Sequence, residues 1–364
     1  MKTICMYLPQ YHSIPENDEW WGNGYTEWTA VKKAKPLYNG HNQPRVPLNN
    51  NYYDLEKDGV ETWKWQADLA KEFDIYGFCI YHYWFCGKML LQKPMEILLE
   101  NKNINIKFCI CWANETWSRR WYDTKPEVLQ LQEYGDEEDW RNHFNYLLPF
   151  FCDDRYIKID NKPVVNIYRS YNIDCLGEMI ECWNKLAVQN GFNGVYIVSC
   201  KAAGKQETRK DLVDAYYIFE PGFSTKNEMS FYDNAVYYLP IISRKIINKI
   251  LRKKVLLERK VNVSWVYKKI SNRKYIMNDN IFPGTFPGWD NTPRCGMEGT
   301  AYINSDSKLF RKNLLHIKEK IQHKQLDFVY VNAWNEWGEG AYLEPDIENK
   351  YDYLKAISDV VSEI

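Results

Sequence analysis

Asp327-Phe328-Val329-Tyr330-Val331-Asn332-Ala333-Trp334-Asn335-Glu336-Trp337-Gly338-Glu339-Gly340 passes from an apolar, β-branched run into a turn of acids, indoles and glycines. The first part reads as a buried strand, and the glycines mark where it stops. Seven more runs of this character lie upstream, near residues 3–8, 75–84, 106–112, 163–168, 194–200, 214–220 and 280–286. Stretches of helical periodicity separate them, near 54–73, 92–101, 136–150, 174–190 and 306–322, and another follows at 346–363. Strand and helix in alternation build a parallel sheet with helices outside, and eight such units predict closure into a (β/α)8 TIM barrel. The 364 residues, 45% of them apolar, suffice to fill that barrel as one domain over 1–364, and no Gly- or Ser-rich linker divides them. The sixth unit is the irregular one. After residue 220 the pattern loosens, and an insertion over about 225–275 is expected there, between strands six and seven.

Barrels of this class place their chemistry at the C-terminal ends of the strands. Those ends read Gln10-Tyr11-His12, His82-Tyr83-Trp84, Trp112-Ala113-Asn114-Glu115, Tyr168-Arg169, Glu220, Trp289-Asp290-Asn291 and Asn335 to Gly340. Sugars need flat faces for their C–H surfaces and polar groups for their hydroxyls. Both cluster here. Tyr11, His12, Trp28, His82, Tyr83, Trp84, Trp112, Asn114, Glu115, Tyr168, Glu220, Trp289, Asn335 and Trp337 are therefore candidate substrate contacts. Glycosyl transfer also needs two carboxyls in unlike states, one protonated and one ionised. Glu336 and Glu339 are the candidate catalytic pair, since burial among Trp334 and Trp337 would raise one of their pKa values.

Each candidate has a plainer reading. The two glutamates could be solvated loop charges. Asn114 and Glu115 could cap a βα turn, while His12 and His82 could be satisfied packing residues. Trp20, Trp21, Tyr25 and Trp28 serve equally as stacking platforms or as a hydrophobic lid. Glu220 suits a pocket floor or a buried partner for an arginine.

The motif Asn335-Glu336-Trp337-Gly338-Glu339-Gly340 with Leu343-Glu344-Pro345 resembles the C-terminal signature of the WbsX family of polysaccharide-locus proteins. Three further stretches fit that family in order: Tyr7-Leu8-Pro9-Gln10-Tyr11-His12, Trp21-Gly22-Asn23-Gly24-Tyr25-Thr26-Glu27-Trp28, and Tyr81-His82-Tyr83-Trp84-Phe85. Trp112-Ala113-Asn114-Glu115 completes the set. The family is itself similar to the endo-α-mannosidases of glycoside hydrolase family 99. The resemblance covers nearly the whole chain and implies a (β/α)8 barrel with a carbohydrate-active site. It also implies roles for the two acids: Glu336 would assist the sugar's own 2-hydroxyl and Glu339 would be the acid/base. The 2-oxygen then attacks the anomeric carbon, and water opens the 1,2-anhydro sugar with net retention. The 2-oxygen must lie trans to the leaving group, as in α-mannosides and α-rhamnosides. Those mannosidases carry His where this chain has Gly338.

Charge is balanced, 47 Lys and Arg against 48 Asp and Glu, which speaks against a nucleic-acid partner. Several of the ten cysteines (Cys5, Cys79, Cys109, Cys111, Cys200) fall inside predicted strands and read as small buried hydrophobes. No metal-binding spacing is present, and neither a metal nor another cofactor is expected. The first residues lack the pattern of a secretory signal, so a cytoplasmic location is expected. Arg244 to Lys274 holds twelve Lys and Arg with Glu258 as its only acid, and one face of its helical part is apolar. Such a helix near 241–274 could lie on anionic lipid at the inner membrane face, or cover the barrel with its charges solvated. Three functions fit an oligosaccharide or polysaccharide substrate. They are a retaining endo-acting glycoside hydrolase, a glycosyltransferase of O-antigen or capsule assembly, and a catalytically silent glycan-binding barrel. The hydrolase leads, because no Asp-x-Asp pair or Gly-x-Gly-x-x-Gly turn offers to hold a nucleotide diphosphate.

Overall fold

A computed structural model describes residues 1–119, 127–274, 278 and 280–363; residue 275, the end of the expected insertion, lies outside them. One sheet contains β1 (Lys2–Tyr7), β2 (Ile75–Phe85), β3 (Lys107–Trp112), β4 (Lys162–Ile167) and β5 (Tyr196–Lys201). It continues through β6 (Ala215–Ile218), β7 (Ile281–Phe282), β8 (Gly284–Thr285) and β9 (Phe328–Val331). From β1 to β6 each strand pairs in parallel with the next.

β7 and β8 are halves of one strand broken at Pro283, whose ring leaves no N–H for the ladder. The first half pairs with β6, Tyr217 opposite Phe282, and the second with β9, Thr285 opposite Val331. β9 then pairs with β1, Cys5 opposite Val331. The ring of nine segments is closed but for that break. Gly284 makes the crossing possible, since a Cβ there would stand 1.8 Å from the Ile218 carbonyl oxygen. The barrel expected from the sequence is present, and each of its eight predicted runs holds a strand.

Helices α1 (Gly59–Glu72), α2 (Lys93–Glu100), α3 (Glu137–Phe151), α4 (Leu176–Gln189), α5 (Phe231–Ile250), α6 (Val263–Asn272), α7 (Ser307–Ile321) and α8 (Asp352–Ser362) surround or extend the barrel. In α7, Phe310, Leu314, Ile317 and Ile321 recur at helical spacing and are fully buried, forming the stripe that seats the helix on the sheet. Asp306 begins α7 by accepting from Leu309 N–H, and Asp136 begins α3 by accepting from Glu138 and Asp139 N–H. α5 departs from this pattern: of its 20 residues only Ile241 and Asn248 are buried.

Inside the barrel the packing is aromatic and thiol-rich. Tyr217 stacks on Tyr330 with centroids 4.5 Å apart, and Tyr330 OH donates to Asn166 Oδ1 at 2.9 Å. Cys5, Cys79, Cys109, Cys111 and Cys200 are buried and free, and burial pushes the Cys5 thiol up, out of reach of ionisation.

Candidate active site

After β9 the chain makes a narrow reversal. Asn335–Glu336 pairs antiparallel with Ala341–Tyr342, and Trp337–Glu339 closes the turn. Gly340 takes a left-handed φ of 59°, and a Cβ there would come within 2.9 Å of Asp290. This geometry sends Trp337 into the core, where it stacks on Tyr342 at 3.8 Å and donates to Glu344 at 2.7 Å. Glu336 and Glu339 go the other way, into a cavity of about 490 Å³ at the C-terminal mouth of the barrel.

A single guanidinium organises the acids. Arg294, on the short helix Thr292–Cys295 that follows β8, pairs through Nη2 with Glu336 at 3.0 Å and through Nη1 with Glu339 at 2.8 Å. Its Nε donates to Glu27 at 2.8 Å, a carboxyl contributed by the helix Glu27–Lys33 in the β1–α1 loop. Three carboxylates share one cation, so full ionisation would leave two buried charges uncompensated. Burial accordingly lifts Glu336 to about 8, against the pull of Arg294. It lifts Glu339 as well, again opposed by Arg294. Glu339 is the more open of the two, with 22% of its side chain exposed against 8% for Glu336. The site is thus built to hold a carboxyl proton near neutral pH.

The walls suit a ring with hydroxyl groups. Tyr81 and Tyr83 line the cavity, and burial, then the charge of Glu336, pushes their phenols well above the usual range, so they stay neutral donors. Trp21, Tyr25, Trp117, Tyr168, Phe219 and Trp289 add aromatic surface. Glu115 reaches the rim, paired with Arg169 at 2.9 Å.

Among the expected contacts, Tyr83, Glu115, Tyr168 and Trp289 therefore face the cavity with the two acids. The others lie in the wall behind it, for reasons of strand geometry and packing. Successive strand residues point to opposite faces. Tyr81 and Tyr83 face inward, so His82 and Trp84 face α3, His82 bonding His143 at 2.9 Å and Trp84 stacking on it at 4.6 Å. Trp112 is on the same side and donates to the Trp84 carbonyl. Asn114 ties a loop, accepting from Arg169 N–H and donating to its carbonyl. Asn335 clamps Leu8 through both backbone groups at 2.7 and 3.0 Å. Tyr11 donates to the Asn335 carbonyl, and Trp28 to that of Tyr53. Trp337, described above, and His12 are buried. Glu220 is the buried partner of Arg273 at 2.8 Å.

Glu27 and Arg294 were not among the sequence candidates. Glu27 stands inside the Thr26-Glu27-Trp28 motif, hidden in a helix first turn where an acid is ordinary. Arg294 lies three residues beyond the strand-end reading Trp289-Asp290-Asn291, and nothing in its neighbours marks it. Gly338 is the position that links them: a Cβ there would fall 1.7 Å from Glu27 Oε1 and 2.8 Å from Arg294 Nε. Among the described residues no group of three or more His, Cys, Asp or Glu is placed to hold a metal ion.

The sequence model of the family described as Glycosyltransferase WbsX matches residues 3–357. The Uncharacterized protein WxcX of Xanthomonas campestris pv. campestris is 31% identical over 359 residues, which are 97% of this chain and 48% of that protein. The chain thus spans about half the length of the curated relatives it matches. Among solved structures, the GH99 endo-alpha-mannosidase from Bacteroides thetaiotaomicron superposes with a TM-score of 0.55 at 14% identity, covering 99% of this chain and 96% of that one. A Glycoside hydrolase-like protein gives 0.59 at 15% identity, covering 100% and 94%. At these identities the likeness is one of fold.

Proposed function

This chain belongs to the WbsX glycosyltransferase family, and on that premise we propose that it is a carbohydrate-active enzyme, namely a retaining, endo-acting glycoside hydrolase. Its substrates are α-linked glycans with a free 2-hydroxyl trans to the leaving group, of α-mannoside or α-rhamnoside type. The observation that carries this reading is the convergence of Glu336 and Glu339 on Arg294 inside an aromatic cavity at the barrel mouth.

Glu339, the more open acid, gives its proton to the departing glycosidic oxygen. Glu336 takes the proton of the 2-hydroxyl as the 2-oxygen closes on the anomeric carbon and the glycosidic bond breaks. In the second half, water adds to the anomeric carbon and surrenders a proton to Glu339. Glu336 returns its proton to the 2-oxygen as the three-membered ring opens, and both acids regain their starting states. Two displacements at one carbon give retention. Tyr81 and Tyr83 bind hydroxyls of the ring, and Trp289 and Tyr168 offer stacking faces.

The transferase reading, which the family's description favours, meets an electrostatic obstacle in this cavity. Among the described residues its charged lining is Glu27, Glu115, Glu336 and Glu339 with Arg294. A nucleotide diphosphate brought there would have to compete for Arg294 with the three carboxyls that already share it. The deciding experiment incubates α-mannosyl and α-rhamnosyl oligosaccharides with the protein and with Glu339→Gln. Release of the retained anomer, abolished by Glu339→Gln and absent for 2-deoxy analogues, is expected. Turnover untouched by Glu339→Gln defeats the assignment. Thermal stabilisation by nucleotide sugars, without any by oligosaccharides, moves the reading to the transferase.

A further inference from the structure

We propose that α5 is an interfacial helix that docks the protein on an anionic lipid bilayer. The helix is inverted relative to one that covers a barrel. Its back is fixed to the protein by polar ties: Asp233 to Lys269 at 2.7 Å, Arg244 to the Glu258 and Lys260 carbonyls, Asn248 to the Leu256 backbone. Its front carries Tyr232, Val236, Leu239, Ile242, Ile246 and Ile250, all exposed, Ile250 by 73%. At 100° per residue these six fall within about 120° of arc, one continuous apolar stripe along the helix. Ordinary surfaces scatter such residues singly, and a stripe of this length marks something that covers it.

Charge selects what that is. Lys245 and Lys249 border the stripe, and Arg252 and Lys253 follow it in the turn after the helix, all exposed. Among the described residues none of the four has a carboxylate partner within ion-pair distance. Apolar residues sinking between acyl chains, with basic side chains reaching lipid phosphates, describe an amphipathic helix lying in a membrane interface. A second copy of the chain docked with its stripe running in the same direction would set this positive cluster against itself. Among the described residues no helix is long and apolar enough to cross a membrane, so contact is at the surface.

The helix is also wired to the cavity. Its return strand Arg259–Asn262 pairs with Thr300–Ile303, and Tyr302 N–H donates to the carbonyl of Trp289 in the cavity wall.

The test is cosedimentation of the full chain with phosphatidylcholine vesicles, with and without phosphatidylglycerol. Binding only to the phosphatidylglycerol vesicles is expected, weakening at least about tenfold in ~0.5 M salt as the charges are screened. Replacing Lys245, Lys249, Arg252 and Lys253 by Glu lowers it about a hundredfold or more. Leu239→Glu with Ile246→Glu abolishes it while leaving Tm unchanged, because both side chains are already in solvent. No binding by the intact chain, or binding indifferent to the Leu239→Glu/Ile246→Glu pair, overturns the proposal. So does a concentration-dependent dimer that the same pair dissolves. Vesicle binding is read without turnover, so a failed hydrolysis assay leaves it standing.

Discussion

The missing side chain at residue 338 shapes the candidate site as much as the acids beside it. Glu27 Oε1 occupies the space a Cβ would take there, and from it Glu27 holds Arg294 Nε. Gly338→Ala is therefore expected to expel Glu27 and cost about 1–3 kcal/mol of stability by overpacking. Adding Glu27→Ala should recover most of that loss, a coupling that a double-mutant cycle in chemical denaturation would measure. Additive losses would show that the two positions do not compete. The same cluster sets a pH profile. Glu336 must be ionised to receive the 2-hydroxyl proton, and its folded pKa stands near 8, above the ordinary 4.5. The base form is thus present above that value and lost as pH falls through it, placing the acid limb of kcat/KM near pH 8. Arg294→Gln removes the cation that lowers both acids, and the limb should move further up. An acid limb at ordinary carboxylate pH in the unmodified protein would take the base role from Glu336.

At the scale of elements, the strands of the barrel are legible because each is a short apolar run bounded by turn residues, a signal that survives without neighbours. Facing is not. β2 reads Tyr81-His82-Tyr83-Trp84-Phe85 with no polar–apolar alternation, because both of its faces are buried, one by the cavity wall and the other by α3. His82 and Trp84 consequently look as available to a sugar as Tyr81 and Tyr83 do, and a one-residue choice decides which pair is. The interiors of the β1–α1 and β8–α7 loops are harder still, since Glu27 and Arg294 come together across 267 residues of sequence. The β6 unit shows a further tie of this kind. Arg273, at the end of α6, reaches back to Glu220 at the end of β6, with side chains 1% and 0% exposed. Arg273→Ala leaves a buried carboxylate without its cation and should cost about 3–5 kcal/mol in denaturant unfolding. Replacing both partners by Met should cost less, because the fully buried charge is then gone and only Glu228, 22% exposed and also paired with Arg273, loses a partner. A loss below about 1 kcal/mol for Arg273→Ala would mean that the pair is not buried in solution.

For the molecule as a whole, two sets of buried groups pull stability in opposite directions with pH. Burial lowers His82 to about 3 from the ordinary 6.5 and takes His143 well below it, so folded imidazoles stay neutral where unfolded ones take protons. That penalty grows as pH falls below 6.5. Burial lifts Glu336 to about 8 and Glu344 to about 7, the latter despite hydrogen bonds from Trp337, Gln66 and Tyr53. These carboxyls hold protons in the folded chain that the unfolded chain gives up above 4.5, so their penalty grows as pH rises. Between about 4.5 and 6.5 the two sets, with His12 on one side and Glu339 and Glu220 on the other, oppose each other, whereas above 6.5 the carboxyls act alone, Glu336 and Glu344 each at roughly 1.4 kcal/mol per pH unit until its folded pKa is passed. Tm should therefore change less across pH 4.5 to 6.5 than above it, where it falls toward pH 8. Glu344→Gln removes one of these alkaline penalties and should shallow the fall, while tilting the span from pH 4.5 to 6.5 upward as the histidines are less opposed. A Tm that climbs from pH 6.5 to 8 would mean that Glu336 and Glu344 are ionised in the folded protein. Glu336 would then already stand as a base at neutral pH, and the acid limb of kcat/KM would lie below pH 8 with it.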